Sequence, residues 1–388
     1  MPGSSIPSPL NRREFLRWLT ALGGATALAA FLEGCSVQLP KSREGTTSPS
    51  PFPTRVTPLP ATDTPGPIAT PEMSATSSST PTNTGGDGTA RIALVSTSNR
   101  AEGVRRALEL LGINPFDGKR VFFKPNFNSA DPAPGSTHPE VLTTLVAAIK
   151  EMGAQSITLG DRSGMGNTRR VMDQLGVFRL ADEMGFNAMV FDELLPEDWL
   201  MIQPPDGHWQ QGFPFARPCL EAEAVVNACC LKTHRFGGHF TLSLKNAVGM
   251  VAQQVLPSKH DYMQELHASA HQRRMIAEIN TAYTPALIVL DGVEAFISGG
   301  PDRGERVQPE VILAGTDRIA MDAVGVALLR LSGCQTEVSR GKIFEQEQIA
   351  RAVELGLGVD RPEKIEFLTG DASSAATSDR IREVLLAG

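Results

Sequence analysis

The sequence predicts an α/β domain with a mainly parallel sheet and helices on both faces, and three observations predict it. From Arg91 onward, short β-rich apolar runs alternate with stretches of helical periodicity. Runs such as "EAVVNACCLK" (223–232) are apolar at successive positions, as strands covered on both faces are. No internal repeat and no shift in composition divides residues 90–388, so one domain with an insertion accommodates the alternation.

In order, the strand candidates are "RIALVST" (91–97), "KRVFFKPN" (119–126), "SITLGD" (156–161), "NAMVFD" (187–192), "EAVVNACCLK" (223–232), "PALIVLD" (285–291), "PEVILAGTD" (309–317) and "KIEFLTG" (364–370). Helical patterns fall at 101–112, 139–152, 168–184, 242–252, 263–281, 318–332, 342–356 and 377–386. His138 precedes Pro139, a good first helical residue, and Asp317 stands where an N-cap belongs. The Pro, Gly and aromatic residues of 193–222 mark a loop or hairpin excursion.

The first 89 residues have a different character. Arg12 and Arg13 stand ahead of a mildly apolar segment containing Gly23 and Gly24, a twin-arginine export signature rather than a spanning helix. The segment ends at Leu32-Glu33-Gly34-Cys35, a lipobox-like sequence that makes Cys35 the expected lipidation site, with Glu33 an unusual residue there. Residues 46–84 hold 26 Ser, Thr or Pro among 39 positions, too few apolar groups to offset the entropy of ordering them. The expected layout is a signal peptide at 1–35, a disordered linker at 36–89 and the α/β domain at 90–388. A lipid anchor would then hold the domain at the outer face of the cytoplasmic membrane.

Composition narrows the partners and cofactors. The net charge is -7 with both signs interspersed, which gives no basic face for nucleic acid. Cys219, Cys229, Cys230 and Cys334 show no CxxC spacing, so neither an iron–sulfur cluster nor a zinc ribbon is expected, and the adjacent Cys229 and Cys230 read as small buried side chains.

The chemistry gathers where apolar runs end: at Lys124-Pro125-Asn126, Asp161-Arg162-Ser163, Lys232-Thr233-His234, Asp291-Gly292 and Thr316-Asp317. In an open parallel sheet the carboxyl ends of strands share one edge, where such folds hold ligands. The densest segment is "LKTHRFGGHFTLSLKNAVG" (231–249), where a strand ends at Lys232 and a glycine-bearing loop leads to a helix carrying Lys245 and Asn246. A helix start with lysines nearby suits an anion. Lys124, Asn126, Lys232, Lys245 and Asn246 are therefore the candidate anion-binding residues, and His234, Asp161 and Asp291 the candidate acid–base groups. His234, His239 and Asp161 are candidate ligands of a divalent metal, although their spacing matches no standard zinc motif.

The order of "FFKPNF" (122–127), "STHPEVL" (136–142), "LGD" (159–161), "LKTHRFGGHFTLSLKNAVG" (231–249), His260, "VLDGVEAFISGGPDRG" (289–304) and "AGTDRIAMDAVG" (314–325) resembles the domain of unknown function 362 family. The resemblance spans roughly 90–325 and implies that Lys124, Asn126, His138, Asp161, Lys232, His234, Lys245, Asn246, Asp291 and Asp322 form a recurring polar set. It implies no particular activity. Relatives with appended ferredoxin-like modules carry cysteine quartets, which this sequence lacks. Two readings follow: an enzyme acting on a small anionic substrate, with or without a divalent metal, or a stalked binding lipoprotein with the same crevice and no reaction.

Overall fold

The apolar runs form strands close to where their composition places them, in a computed structural model that describes residues 88–388. The export segment, Cys35 and all but the last two residues of the linker lie outside the described residues. The strands are β1 (Ala90–Ser96), β2 (Arg120–Lys124), β3 (Ser156–Asp161), β4 (Asn187–Val190), β5 (Trp199–Ile202), β6 (Phe213–Ala216), β7 (Ala224–His234), β8 (His239–Thr241), β9 (Leu287–Phe296), β10 (Arg306–Val307), β11 (Val311–Gly315) and β12 (Ile365–Leu368). The main sheet runs β12-β1-β11-β9-β7-β2-β3-β4, with β8 added to β7 and β10 to β9.

Along this path β9, β7, β2, β3 and β4 are mutually parallel, and β1 is parallel to β12. β11 alone on the path is reversed, pairing antiparallel with both β1 and β9. The carboxyl ends of β2, β3, β7 and β9 thus share one edge, while Thr316 and Asp317 leave the sheet at the opposite edge. Asp317 caps the helix Arg318–Leu331, accepting from the Ile319 and Ala320 amides at 2.8 Å, and also accepts from the Val359 amide.

Helices cover both faces, and the period-2 alternation of each strand divides the core between them. Ala93, Val95, Val226 and Ala228 pack with the helices Arg100–Leu111 and Pro139–Glu151. Ile92, Leu94, Cys229 and Leu231 face Arg318–Leu331, Glu347–Glu354 and Ala372–Ala387. All eleven residues of β7 are buried, which explains its unbroken apolar run. The described cysteines are free and buried, and burial pushes the Cys229 thiol well up, as expected of a packing residue.

Several helices are shorter than their periodicity suggests. The pattern at 168–184 divides at Gly176, whose φ of 73° puts it in the left-handed region, into Thr168–Gln174 and Val177–Met184. The pattern at 263–281 forms Tyr262–Ala268 and Gln272–Ile279. The excursion at 193–222 contains the β5–β6 hairpin, with Phe213 and Phe215 buried against Phe122 and Phe191. Glu278, buried completely, holds this excursion: it accepts from the His208 amide at 2.9 Å and from Arg351 Nε at 3.1 Å, and Arg351 donates to the carbonyls of Pro205 and Asp206.

Candidate functional site

The strand-edge residues build a site in two layers, a saturated floor and an open cavity above it. In the floor, Lys124 Nζ at the end of β2 meets Asp161 Oδ1 at the end of β3 at 2.6 Å and donates to the Pro125 carbonyl at 2.6 Å. Asp161 is further held by the amides of Phe127 (2.7 Å to Oδ2) and Arg162 (2.8 Å to Oδ1). Asn246 accepts from Asn126 Nδ2 at 3.0 Å and donates to Asn227 Oδ1 at 2.7 Å and the Ala228 carbonyl at 3.3 Å. Lys232 Nζ donates to Asn126 Oδ1 at 2.6 Å and the Gly135 carbonyl at 2.5 Å. Lys124, Asn126, Asp161, Lys232 and Asn246 are thus brought together as one buried network.

Above this floor lies a cavity of about 60 Å³. It continues into an outer chamber of about 840 Å³, and Asn128, Arg162, His234 and Lys245 line both. Four buried polar atoms on these walls have no partner: Asn128 Nδ2, Ser163 Oγ, His234 Nδ1 and Thr241 Oγ1. A buried polar atom left without a hydrogen bond costs on the order of 1–3 kcal/mol, so four around one space mark it as built to be filled.

The inner cavity sets four cations, Lys124, Arg162, Lys232 and Lys245, against the carboxylate of Asp161, while Asp192 and Asp261 line the outer chamber. Lys124 is matched by Asp161, whereas Lys232, Lys245 and Arg162 touch no carboxylate among the described residues. Arg162 donates instead to the carbonyls of Val251, Ser163 and Val248 and to Met263 Sδ. Burial, then the cations Lys232 and Arg162, bring the Lys245 amine down to about 7. Burial, then Lys245 and Lys232, hold His234 well below the usual histidine range, so its imidazole is neutral.

The loop read between Lys232 and the following helix is a β7–β8 hairpin. Thr241 lies opposite Lys232 and His239 opposite His234. Gly238 lets the turn close over the lysine: a Cβ there would stand 2.7 Å from Lys245 Cε and 3.2 Å from His234 Nδ1. Lys245 and the His234 ring are therefore neighbours across one glycine.

Three expectations are corrected. The helix carrying Lys245 is only Ser243–Asn246, continued by the 3₁₀ turn Ala247–Met250, and its start is already filled by Asp322, which accepts from the Ser243 amide at 2.8 Å, Ser243 Oγ at 2.6 Å and the Leu244 amide at 3.2 Å. That helix start holds an internal carboxylate in place of an external anion. Asp291 does not line the cavity; it pairs with Arg100 at 2.8 Å, in a cluster with Glu294 that includes the electrostatic neighbourhood of His138. The candidate metal ligands are not gathered either. His234 and His239 line a further cavity together with Glu337, but Asp161, the third candidate, stands apart from it, committed to Lys124 and two amides. Among the described residues no three His, Cys, Asp or Glu side chains stand together as a metal site.

Sequence reasoning missed Arg162, Asn128, Ser163, Thr241 and Asn227 as site residues. Arg162 and Ser163 follow Asp161 directly at the end of β3, so their place on the edge was a usable signal. Asn128 and Thr241 had none, because only the fold of the Pro125–Ser136 loop and the β7–β8 pairing turn them inward.

Fold and site together define an α/β protein with a basic crevice at the carboxyl edge of its parallel strands. Residues 121–327 match the family described as domain of unknown function (DUF362), and the chain belongs to that family. All residues lining the cavity and the outer chamber lie within this match. The chain is also 26% identical over 239 residues to a thylakoid-associated protein of Synechocystis sp., across 59% of this chain and 69% of that protein. No solved structure matches it.

Proposed function

We propose that this protein is an enzyme acting on a small anionic substrate, a carboxylate or phosphate, bound in the strand-edge cavity. The observation that carries this reading is the coincidence, on one set of walls, of three cations without carboxylate partners and four buried polar atoms without hydrogen bonds. Lys232, Lys245 and Arg162 receive the charge, and Asn128, Ser163 and Thr241 complete the contacts. Catalysis rather than binding alone is favoured by two proton-transfer groups beside each other. An amine brought to about 7 is present both as ammonium and as free amine near neutral pH, and the neutral His234 imidazole beside it offers a hydrogen-bonding ring, a pairing that a pure binding site does not need.

The export signature and Cys35 support a further part of the same proposal, in which the domain is carried out by the twin-arginine route and anchored through a lipid on Cys35. Palmitate labelling that is equal in the wild type and Cys35→Ala would overturn the anchor. For the cavity, the test is thermal unfolding with phosphate, sulfate or acetate at matched ionic strength. Stabilisation lost in Lys232→Met and in Lys245→Met is expected. No stabilisation of the wild type by any of these anions would overturn the reading.

A further inference from the structure

We propose that Lys245 is the nucleophile of the cavity and forms an imine with the carbonyl carbon of a small oxo acid. This rests on the anion-binding reading and adds to it the substrate class.

The three cavity lysines are not equivalent. Lys124 is spent on Asp161, and Lys232 on Asn126 and Gly135, but Lys245 Nζ makes no hydrogen bond to any described residue. It is nevertheless buried, with its stem against Gly238 and its short helix fixed at the start by Asp322. An amine at the end of a buried stem, with no acceptor among the described residues and lining both the cavity and the outer chamber, has no structural task to explain it. Its cationic neighbours Lys232 and Arg162 and its burial favour the neutral amine, the form that attacks carbonyls. Those same neighbours would receive the carboxylate of an oxo acid, which places its carbonyl carbon next to the acid group and so toward Lys245.

The step balances without any other reagent. The nitrogen lone pair forms the C–N bond while the carbonyl π pair moves to oxygen, giving a carbinolamine once a proton passes from nitrogen to that oxygen. Loss of the second N–H proton and departure of the oxygen as water then leaves the C=N bond. His234, neutral and adjacent across Gly238, is placed to carry these protons from nitrogen to oxygen.

The experiment is reductive trapping. The full chain is incubated with pyruvate and cyanoborohydride, which converts an imine to a stable secondary amine, and the modified lysine is located by peptide mass mapping. One reduced pyruvyl group on Lys245, appearing at least roughly tenfold faster than on any other lysine, is expected from its larger neutral fraction. Acetate, which has no ketone, should slow the labelling by competition. Lys245→Arg keeps the cation and should abolish it. Wild-type maps in which Lys245 is unmodified, or modified no faster than surface lysines, overturn the proposal, and this measurement needs no variant to fold. If phosphate and acetate still raise the melting temperature in that case, the anion site stands and only the imine falls. If no anion and no oxo acid has any effect, both fall.

Discussion

Lys124 and Asp161 form an ion pair sealed from solvent, with Nζ 2.6 Å from Oδ1 and side chains only 1% and 2% exposed. The pair ties the end of β2 to the end of β3 at the floor of the cavity, and two amides complete the aspartate. Removing one partner of such a pair strands a buried charge. Asp161→Ala is expected to cost on the order of 3–5 kcal/mol, with Lys124→Met/Asp161→Ala less destabilised than Asp161→Ala alone. Urea unfolding of these variants beside the wild type checks this. A single-site loss under about 1 kcal/mol would contradict the role given to the pair.

Gly249 gives the same pair a second test. A Cβ on Gly249 would come within 2.8 Å of Lys124 Nζ and closer still to Asp161 Oδ1. Because both groups are hydrogen-bonded and packed, they cannot swing away as a free side chain would. Gly249→Ala should therefore destabilise by roughly 1–3 kcal/mol, the cost of overpacking, whereas Gly238→Ala should cost less because the atom it meets lies along the flexible Lys245 stem. The second variant should instead weaken anion-induced stabilisation, since it displaces Lys245 and crowds His234. Equal stability losses with intact anion response in Gly238→Ala would refute this division.

Much of this fold was legible because burial on both faces leaves an unmistakable trace, as in β7, and because strand ends carry polar residues when they line a crevice. The direction of a strand leaves no such trace. "VILAG" reads the same in either sense, so reversed β11 sent Asp317 to the opposite edge from the one expected. The site was legible as a set of residue types but not as a division of labour. Nothing in the spacing of Lys124, Lys232 and Lys245 shows that Asp161 neutralises the first, that Asn126 holds the second, or that the third is left free. Asp322, distant in sequence, occupies the helix start that the local pattern assigned to a ligand.

Asp322 also carries a pH signature. Burial raises its carboxyl to about 7 despite the donors Ser243 and Leu244, far above its ordinary value of 3.8. A carboxyl whose folded value lies above its unfolded one binds more protons when folded, so its contribution to stability is present at low pH and is lost as pH rises from about 4 to about 7. The amide introduced by Asp322→Asn cannot titrate, so the stability of the wild type relative to that variant should fall by up to about 1.4 kcal/mol per pH unit across this window. Denaturant unfolding of both proteins between about pH 4 and pH 7 reads the difference, in which the other carboxylates cancel. A difference independent of pH would show that Asp322 stays ionised throughout.

The Lys245 amine titrates in the opposite sense for ligands. Its folded value of about 7 lies below its ordinary 10.5, so it is an ammonium below neutrality and an amine above it. Sulfate keeps its charge over this range and binds the ammonium form, so its affinity should fall as pH rises through about 7, by at most roughly tenfold per unit. His234 and His267 face the same chamber, but burial and Lys245 hold both below the usual histidine range, so their own loss of charge falls at lower pH than that of Lys245. Lys232 is lowered by burial as well, and Lys245→Met separates the two lysines: the variant should bind sulfate weakly and with a flatter pH profile near neutrality. For stability the sign reverses, because between about 7 and 10.5 the unfolded chain holds a proton that the folded chain does not. The ligand-free wild type should accordingly gain stability with rising pH relative to Lys245→Met. Calorimetric titration with sulfate at about pH 6 and pH 9 measures the first effect, and equal affinities at the two would remove Lys245 from the anion site.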